Sequence, residues 1–212
     1  MTEDEMSEEE WDVFIAEHKR TIRPLLDARL FAEAIRRLRE WADTERRIDV
    51  RSFLLQDLSA LLMVSGREDE ALAVIHERVE LEPDNPISRC SLAGWHFYGH
   101  GFYDANKETL RAALEAIDTA VAKARVHGEW LRHCLNDRCR IVVAMKRYDL
   151  LEESLREILA MPVRPGVPDT QLEDDFLRQV SEGAIDGDLL ARYRAAIAEQ
   201  EARRAKRRSP KT

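Results

Sequence analysis

The chain has 212 residues, of which 44% are hydrophobic and 35% are charged, and its formal net charge is −8. A chain of this length and composition can bury a sizeable core, as one domain or as a short repeat array with a tail. Its eight glycines and seven prolines are few, which is typical of a mostly helical chain. The acidic balance argues against a general role in nucleic-acid binding, because phosphate groups would be repelled over most of the surface.

The two ends of the chain carry opposite charges. Residues 1–10 contain six acidic side chains and no basic one, whereas residues 201–212 contain six basic side chains and one acidic one. The three cysteines form no paired framework, which is typical of a protein from a reducing compartment. No apolar run reaches about 18 residues. The acidic N-terminus does not resemble a secretory signal, so we expect a cytoplasmic protein without a membrane span.

The spacing of apolar residues predicts an all-α chain of about ten helices. The first helix is expected to begin at Ser7, because Ser7 and Glu10 have the spacing of a capping box. Pro24 is expected to kink or interrupt that helix. A second helix should follow from about Phe31, and a hairpin over residues 52–85 supplies the third and fourth helices.

The second half of the chain continues the pattern with less regular helix lengths. Pro86 suits the first turn of a helix, and Asp104 is a plausible N-cap of the next one. Further helices are predicted over residues 86–98, 104–127, 129–145, 148–160 and 170–182, and from about residue 186 onward. Residues 162–169 contain three prolines and are expected to form a linker. We expect residues 170–200 to form a C-terminal helical cap and residues 201–212 a disordered basic tail.

Residues 52–85 resemble a tetratricopeptide repeat. A helix–turn–helix unit of 34 residues is the signature of this family. The matching residues are Leu55, Leu58, Leu62, Gly66, Ala71, Ile75 and the closing run over 81–86. Two positions depart from the family pattern: Ser59 stands where Gly or Ala is frequent, and Arg78 stands where a small alanine packs between helices, which would loosen that contact.

The resemblance implies an architecture for residues 1–161. Ala34, Ala71 and Ala105 are separated by 37 and 34 residues, which favours repetition, but Leu151 follows only after another 46. The family implies TPR-like antiparallel helical hairpins stacked in a short right-handed solenoid, here three or four degenerate hairpins with C-terminal capping helices. One hairpin cannot bury its apolar face alone and therefore stacks on its neighbours. The resemblance further implies a concave groove in which a peptide or a partner helix docks.

One polar stripe is a candidate wall of such a groove. Arg132, Asn136 and Arg140 follow i, i+4, i+8 spacing and therefore share one face of a predicted helix. The stripe is either a solvated face or a wall that forms hydrogen bonds with the backbone or a carboxylate of a partner. The residues that would extend this partner-binding wall on preceding helices are Gln56, Met63, Arg89 and Tyr98.

No group of residues points to catalysis or to a metal. His96 and His100 would share a helical face only if the helix continued past Gly99, which favours a packing role. A second group lies along one helix and its approach and contains no CxxC pair; it consists of His127, His133, Cys134 and Cys139. No glycine-rich phosphate loop or nucleophile elbow occurs. We therefore expect a protein that is not an enzyme, with no cofactor and no metal.

These features predict an adaptor that binds a peptide or partner segment, as a monomer or homodimer. The alternative is a dedicated inhibitor or immunity-type protein that blocks one basic partner through its acidic surface. The basic run over 203–208 could contact nucleic acid, anionic lipid or an acidic partner, but a solvated helix end is the simpler interpretation.

Overall fold

A computed structural model describes residues 6–98, 106–162 and 172–208 of the chain, with the side chains of residues 204, 207 and 208 excepted. These residues form nine α-helices and one 3₁₀ helix and contain no strand, so the prediction of an all-α protein is confirmed. None of the described helices is long and apolar enough to cross a membrane. In chain order the elements are α1 Glu8–Asp27, α2 Phe31–Thr44, α3 Ile48–Val64, α4 Glu68–Leu81, α5 Pro86–Tyr98, α6 Lys107–His127, α7 Leu131–Ala144, α8 Tyr148–Ala160, η1 Asp175–Gln179 and α9 Gly187–Arg208.

The chain divides into two compact units. The N-terminal unit is Met1–Asp84 and contains α1 to α4, and the C-terminal unit is Asn85–Thr212 and contains α5 to α9 with η1. The boundary after residue 84 lies inside residues 1–161, for which the sequence predicts one helical repeat domain. The two units differ in formal charge, which is −10 for the first and +2 for the second.

Helix α1 of the N-terminal unit begins as predicted. Ser7 Oγ accepts a hydrogen bond from the backbone N–H of Glu10, and the Glu10 carboxylate accepts one from the backbone N–H of Ser7, which completes a capping box. The expected interruption at Pro24 does not occur, and the helix continues to Asp27. Pro24 lies within the last turn, where its missing N–H removes a single helical hydrogen bond.

The core of the N-terminal unit lies between consecutive helices, which contact each other from α1 to α4. Helices α3 and α4 form the hairpin expected for residues 52–85, and Gly66 makes their turn with φ +71°, a value that favours glycine. Arg78 is accommodated by polar partners, since its Nε donates to Ser52 Oγ at 3.0 Å and Ser52 also bonds Glu82. The fully buried apolar residues of this unit include Ala34, Ala42, Val50, Leu54, Leu55 and Ala71.

Aromatic side chains of α1, α2 and α3 pack together in the same unit. Phe14 of α1 has its ring 5.4 Å from that of Trp41 of α2 and 5.5 Å from that of Phe53 of α3, both edge to face. Aromatic pairs in this geometry stabilise a core beyond the burial of their area. Buried His18 lies beside them, with Nε2 3.1 Å from a carboxylate oxygen of Asp57.

In the C-terminal unit, α5 contacts α6 and α7, α6 contacts α7, and α8 contacts both α7 and α9. Asn106 caps α6 by accepting hydrogen bonds from the backbone N–H groups of Glu108 and Thr109. The suggested cap Asp104 lies outside the described residues, as do residues 163–171 of the expected linker and cap and residues 209–212 of the expected tail.

Two expectations for the end of the chain are corrected. The helix predicted over 170–182 is a five-residue 3₁₀ helix, η1, in the described part of that segment. The adjacent Phe176 and Leu177 are both buried there, and the two buried neighbours hold this segment in a short turn. Gly183 makes a further turn with φ +73°. The disordered tail predicted from residue 201 is helical as far as Arg208, because α9 continues with an Arg203–Glu199 pair at i, i+4 spacing.

Candidate functional site

The seven predicted partner-binding residues fall in both units. Arg89 and Tyr98 lie on α5 and the polar stripe of Arg132, Asn136 and Arg140 lies on α7, so that five of them occupy two contacting helices of the C-terminal unit. The other two, Gln56 and Met63, lie on α3 of the N-terminal unit.

Two of the three residues of the polar stripe are buried, which corrects its interpretation as a solvated face or an accessible wall at those positions. Arg132 is 1% exposed and Asn136 is 2% exposed. Arg132 Nη2 donates to the backbone carbonyl oxygen of Met161 at 2.8 Å. A buried guanidinium is retained where carbonyl or carboxylate oxygens accept its N–H groups. Arg132 therefore ties α7 to the segment that follows α8, and neither side chain is accessible to a partner.

Arg140, the third member of the stripe, joins α7 to the segment around η1. Its Nη1 donates to Asp137 at 2.6 Å and its Nε donates to Asp175 at 2.9 Å, and a third bond reaches Glu173. Burial lowers the pKa of the Arg140 guanidinium, but the hydrogen bond to Asp175 and the charges of Asp137 and Asp175 outweigh burial and raise it. Arg140 thus acts within the chain as a cross-link.

The remaining predicted residues are more accessible. Tyr98 is 47% exposed, and burial of its ring raises the pKa of its hydroxyl. Gln56 is exposed, whereas Met63 and Arg89 are half-buried. Direct contact with a partner is sterically open to these four residues.

Sequence reasoning missed Arg138, which is buried between three helices. Its Nε donates to Asp118 of α6 at 2.7 Å, and its Nη1 donates to Ser154 Oγ of α8 at 2.8 Å. The available signal was Ser154, a polar residue in the otherwise apolar stripe of α8 that includes Leu151 and Leu155. The next residue, Cys139, is an inert thiol, because burial raises its pKa to about 12.

The N-terminal unit contains a pocket of about 490 Å³ between α2 and α4. Its floor is formed by Leu58 and Leu62 of α3, and Ile35 and Val74 add apolar walls. The remaining lining residues are Ala32, Arg36, Arg39, Glu40, Arg67, Glu70, Ala73 and Glu77. Its volume and apolar floor are typical of sites that take up side chains or small ligands.

The charged side chains around this pocket pair with each other. Arg36 bonds Glu40 at 2.6 Å, and Arg39 of α2 bonds Glu77 of α4 at 2.6 Å across the opening. Burial raises the pKa of Glu77, but hydrogen bonds from Arg39 and Arg51 outweigh burial and lower it. The rim is therefore a set of fixed ion pairs around an apolar floor.

The described residues thus define an all-helical protein with an apolar pocket in one unit and a buried arginine network in the other. Comparison of the chain with protein-family models, with curated proteins and with solved structures finds no match.

Proposed function

We propose that the chain is a non-catalytic protein-binding module that holds a partner segment in the pocket between α2 and α4. The observation that carries this proposal is the pocket of about 490 Å³, whose floor is formed by the apolar side chains of Leu58 and Leu62. A cavity of this size accommodates one or two bulky apolar side chains of a peptide. The exposed Ala32 and Ala73 leave room at the opening for the backbone of the bound segment.

The charge of the N-terminal unit specifies the partner further. Its formal charge of −10 attracts a basic segment, since long-range complementarity speeds association and suppresses wrong partners. We propose that the partner segment carries apolar side chains flanked by lysine or arginine. Paired rim residues such as Arg39 and Glu77 fix the shape of the opening more than they contribute net charge.

The resemblance of α3 and α4 to a tetratricopeptide hairpin supports a binding role. We propose that the helical hairpins stack as a short right-handed solenoid, as that family does, although a fold of this kind does not specify its partner. Gln56 and Met63 do not line the pocket and are proposed as a second contact on α3.

A pocket-blocking variant tests the proposal. Ala73→Arg places a long side chain at the opening from an exposed helical position, and Ala16→Arg is the matched control on the exposed face of α1. Phage-displayed 12-residue peptides would be selected on the wild-type chain and then on both variants. We expect apolar sequences flanked by basic residues to be enriched by the wild type and by Ala16→Arg, and to be lost with Ala73→Arg.

Two results would contradict this proposal. One is enrichment of the same peptides by Ala73→Arg, which would place the binding surface elsewhere. The other is the absence of any enriched apolar–basic sequence on the wild-type chain.

The strong negative charge of the N-terminal unit also favours a second candidate function, an inhibitor or immunity-type protein that blocks one basic folded partner. Such a protein would bind a folded domain tightly but no short peptide. Its association rate would fall steeply with salt, because the attraction is screened beyond a Debye length of about 10 Å at 0.1 M salt. Kinetic measurement at two salt concentrations distinguishes this behaviour from peptide docking onto an apolar floor.

A further inference from the structure

We propose that α5 and α7 hold a zinc-type divalent cation between Cys90, His133 and Asp137. A sulfur atom, an imidazole nitrogen and a carboxylate oxygen from these residues all lie within 4.8 Å of one another. Thiolate, imidazole and carboxylate are the three ligand types that Zn²⁺ uses in proteins. The proposal concerns the C-terminal unit alone and does not depend on the pocket between α2 and α4.

The spacing of the donors suits a tetrahedral ion. His133 and Asp137 share a face of α7 at i, i+4 spacing, and His133 Nε2 lies 3.6 Å from Asp137 Oδ2. Bonds of about 2.0 to 2.3 Å around tetrahedral zinc place neighbouring donors about 3.3 to 3.6 Å apart. The two α7 ligands are already near that separation, and Cys90 of α5 supplies the third donor within 4.8 Å of both.

A second residue orients the carboxylate. Asp137 Oδ1 accepts a hydrogen bond from Arg140 Nη1 at 2.6 Å, which leaves Oδ2 directed toward His133. Hydrogen bonds of this kind fix the geometry of metal ligands. The carboxylates of Glu173 and Asp175 also pair with Arg140, so the guanidinium that holds Asp137 is itself held in place from a second segment.

The proposed site is open on one side. Cys90 is buried, whereas the side chains of His133 and Asp137 are 41% and 25% exposed. An ion can therefore arrive from solvent, and its fourth position is available to water or to a ligand atom of a partner. Three protein ligands with an open position distinguish this arrangement from a closed structural site.

The sequence does not indicate this site because one of its ligands is distant in the chain. The sequence groups His133 with His127, Cys134 and Cys139, whereas its thiol partner, Cys90, lies 43 residues before it. Only the contact of α5 with α7 brings the two together.

Cobalt binding tests the proposal, because a Co²⁺–thiolate bond gives a charge-transfer absorption that Zn²⁺ lacks. The full chain would be stripped of metal with EDTA, desalted and titrated with Co²⁺. A phosphine reductant is needed because Cys134 Sγ lies 3.1 Å from Cys90 Sγ, and both thiols must stay reduced. We expect one Co²⁺ per chain, a thiolate charge-transfer band, visible bands of four-coordinate intensity, and displacement by Zn²⁺.

Matched variants identify the ligands. Cys90→Ala should abolish the charge-transfer band, and His133→Gln should weaken Co²⁺ binding by at least about tenfold. Cys139→Ala and His127→Gln are the controls, a second buried cysteine and an exposed histidine outside the cluster, and both should bind as the wild type does. Ala73→Arg should also leave Co²⁺ binding unchanged.

The proposal is overturned if the wild-type chain shows no thiolate band, or if Cys90→Ala and His133→Gln bind Co²⁺ as the wild type does. His133 is partly exposed, and glutamine keeps a polar side chain of similar size there, so His133→Gln keeps the test decisive even if Cys90→Ala is destabilised. Circular dichroism of each metal-free variant verifies folding.

Discussion

Exposed and buried arginines act in different ways in this chain, and the two units differ in the balance: among the described residues, Arg78 is buried in the N-terminal unit, and Arg132 and Arg138 are buried in the C-terminal unit. In the N-terminal unit, Arg36 on α2 and Arg67 at the N-cap of α4 are exposed and pair with glutamates three or four residues away. In the C-terminal unit, Arg132 and Arg138 are buried and bond groups on other elements. The exposed arginines pair on the surface of helices that pack through other residues. The buried arginines form part of the contacts between elements.

This contrast has an energetic consequence. Exposed ion pairs contribute little to stability, because solvent screens them and two long side chains must be ordered. A buried guanidinium is different, since removing it leaves acceptors without their charged donor and also leaves a cavity. A similar sequence pattern, polar residues at helical spacing, therefore has opposite meanings at exposed and at buried positions.

The largest expected effect comes from replacing one arginine in each unit. Arg138→Ala removes hydrogen bonds to Asp118 and Ser154 from a site that is 6% exposed, and we expect a loss of about 3 kcal/mol in the free energy of unfolding. Arg36→Ala, which removes exposed pairs to Glu33 and Glu40, should leave the free energy of unfolding close to the wild-type value. Urea denaturation followed by circular dichroism measures both.

Hydrogen exchange provides the local readout for this pair of variants. The amides of α7 should exchange faster in Arg138→Ala, whereas those of α2 should be unaffected in Arg36→Ala. Equal losses of stability in the two variants would remove the distinction between the units.

A smaller, pH-dependent effect is expected at Glu45 in the N-terminal unit. Hydrogen bonds from the Arg47 side chain are the main cause that lowers the pKa of Glu45 from 4.5 to about 2. Because the folded-state pKa lies below the unfolded one, the contribution to stability is present above about pH 4.5 and is lost as the pH falls toward 2. Because solvent partly screens this pair, Glu45→Gln should lower the free energy of unfolding by about 1 kcal/mol at pH 7.

Denaturation curves at several pH values check this expectation. The difference between the wild type and Glu45→Gln should shrink between pH 4.5 and 2, whereas the exposed Glu80→Gln control should show no comparable change. Glu157 of the C-terminal unit has its pKa lowered by Arg125, so its glutamine variant should follow the same direction. If the difference in the free energy of unfolding between the wild type and Glu45→Gln persisted at pH 2, the charged pair would be excluded as its cause.

Sequence periodicity predicted the helices better than it predicted their polar contacts. Helices α5 and α8 have the predicted bounds, and Gly66 and Gly128 end their helices with positive φ. These features depend on local spacing and on backbone conformation, which a sequence displays directly. The short η1 was missed because its form depends on what Phe176 and Leu177 bury against.

The candidate sites were harder to predict for the same physical reason. The acceptor of Arg132 is a backbone carbonyl 29 residues away. Because every residue has a backbone carbonyl, the residue types do not indicate which one accepts. The pocket between α2 and α4 is lined in part by two small exposed alanines, Ala32 and Ala73, which in the sequence resemble any other solvent-facing positions. Both features are properties of packing between helices, whereas periodicity describes one helix at a time.

The smallest expected effect concerns helix caps, one in each unit. Ser7 caps α1 and Asn106 caps α6, and both accept hydrogen bonds from exposed backbone N–H groups of the first turn. Replacing either with alanine should cost about 0.5 to 1 kcal/mol and accelerate amide exchange in that turn only.

Similar costs for the two cap variants are expected because a cap interacts with its own helix and not with the interior of its unit. Asn106 accepts hydrogen bonds from two N–H groups. Ser7 accepts one, and the Glu10 carboxylate accepts a second from the Ser7 backbone N–H, so each cap satisfies two backbone N–H groups. If Asn106→Ala proved as costly as Arg138→Ala, the difference between the units could not be assigned to buried arginine. If Ser7→Ala and Asn106→Ala lowered the free energy of unfolding by similar small amounts, the larger loss in Arg138→Ala would be assigned to the interior contacts of α7.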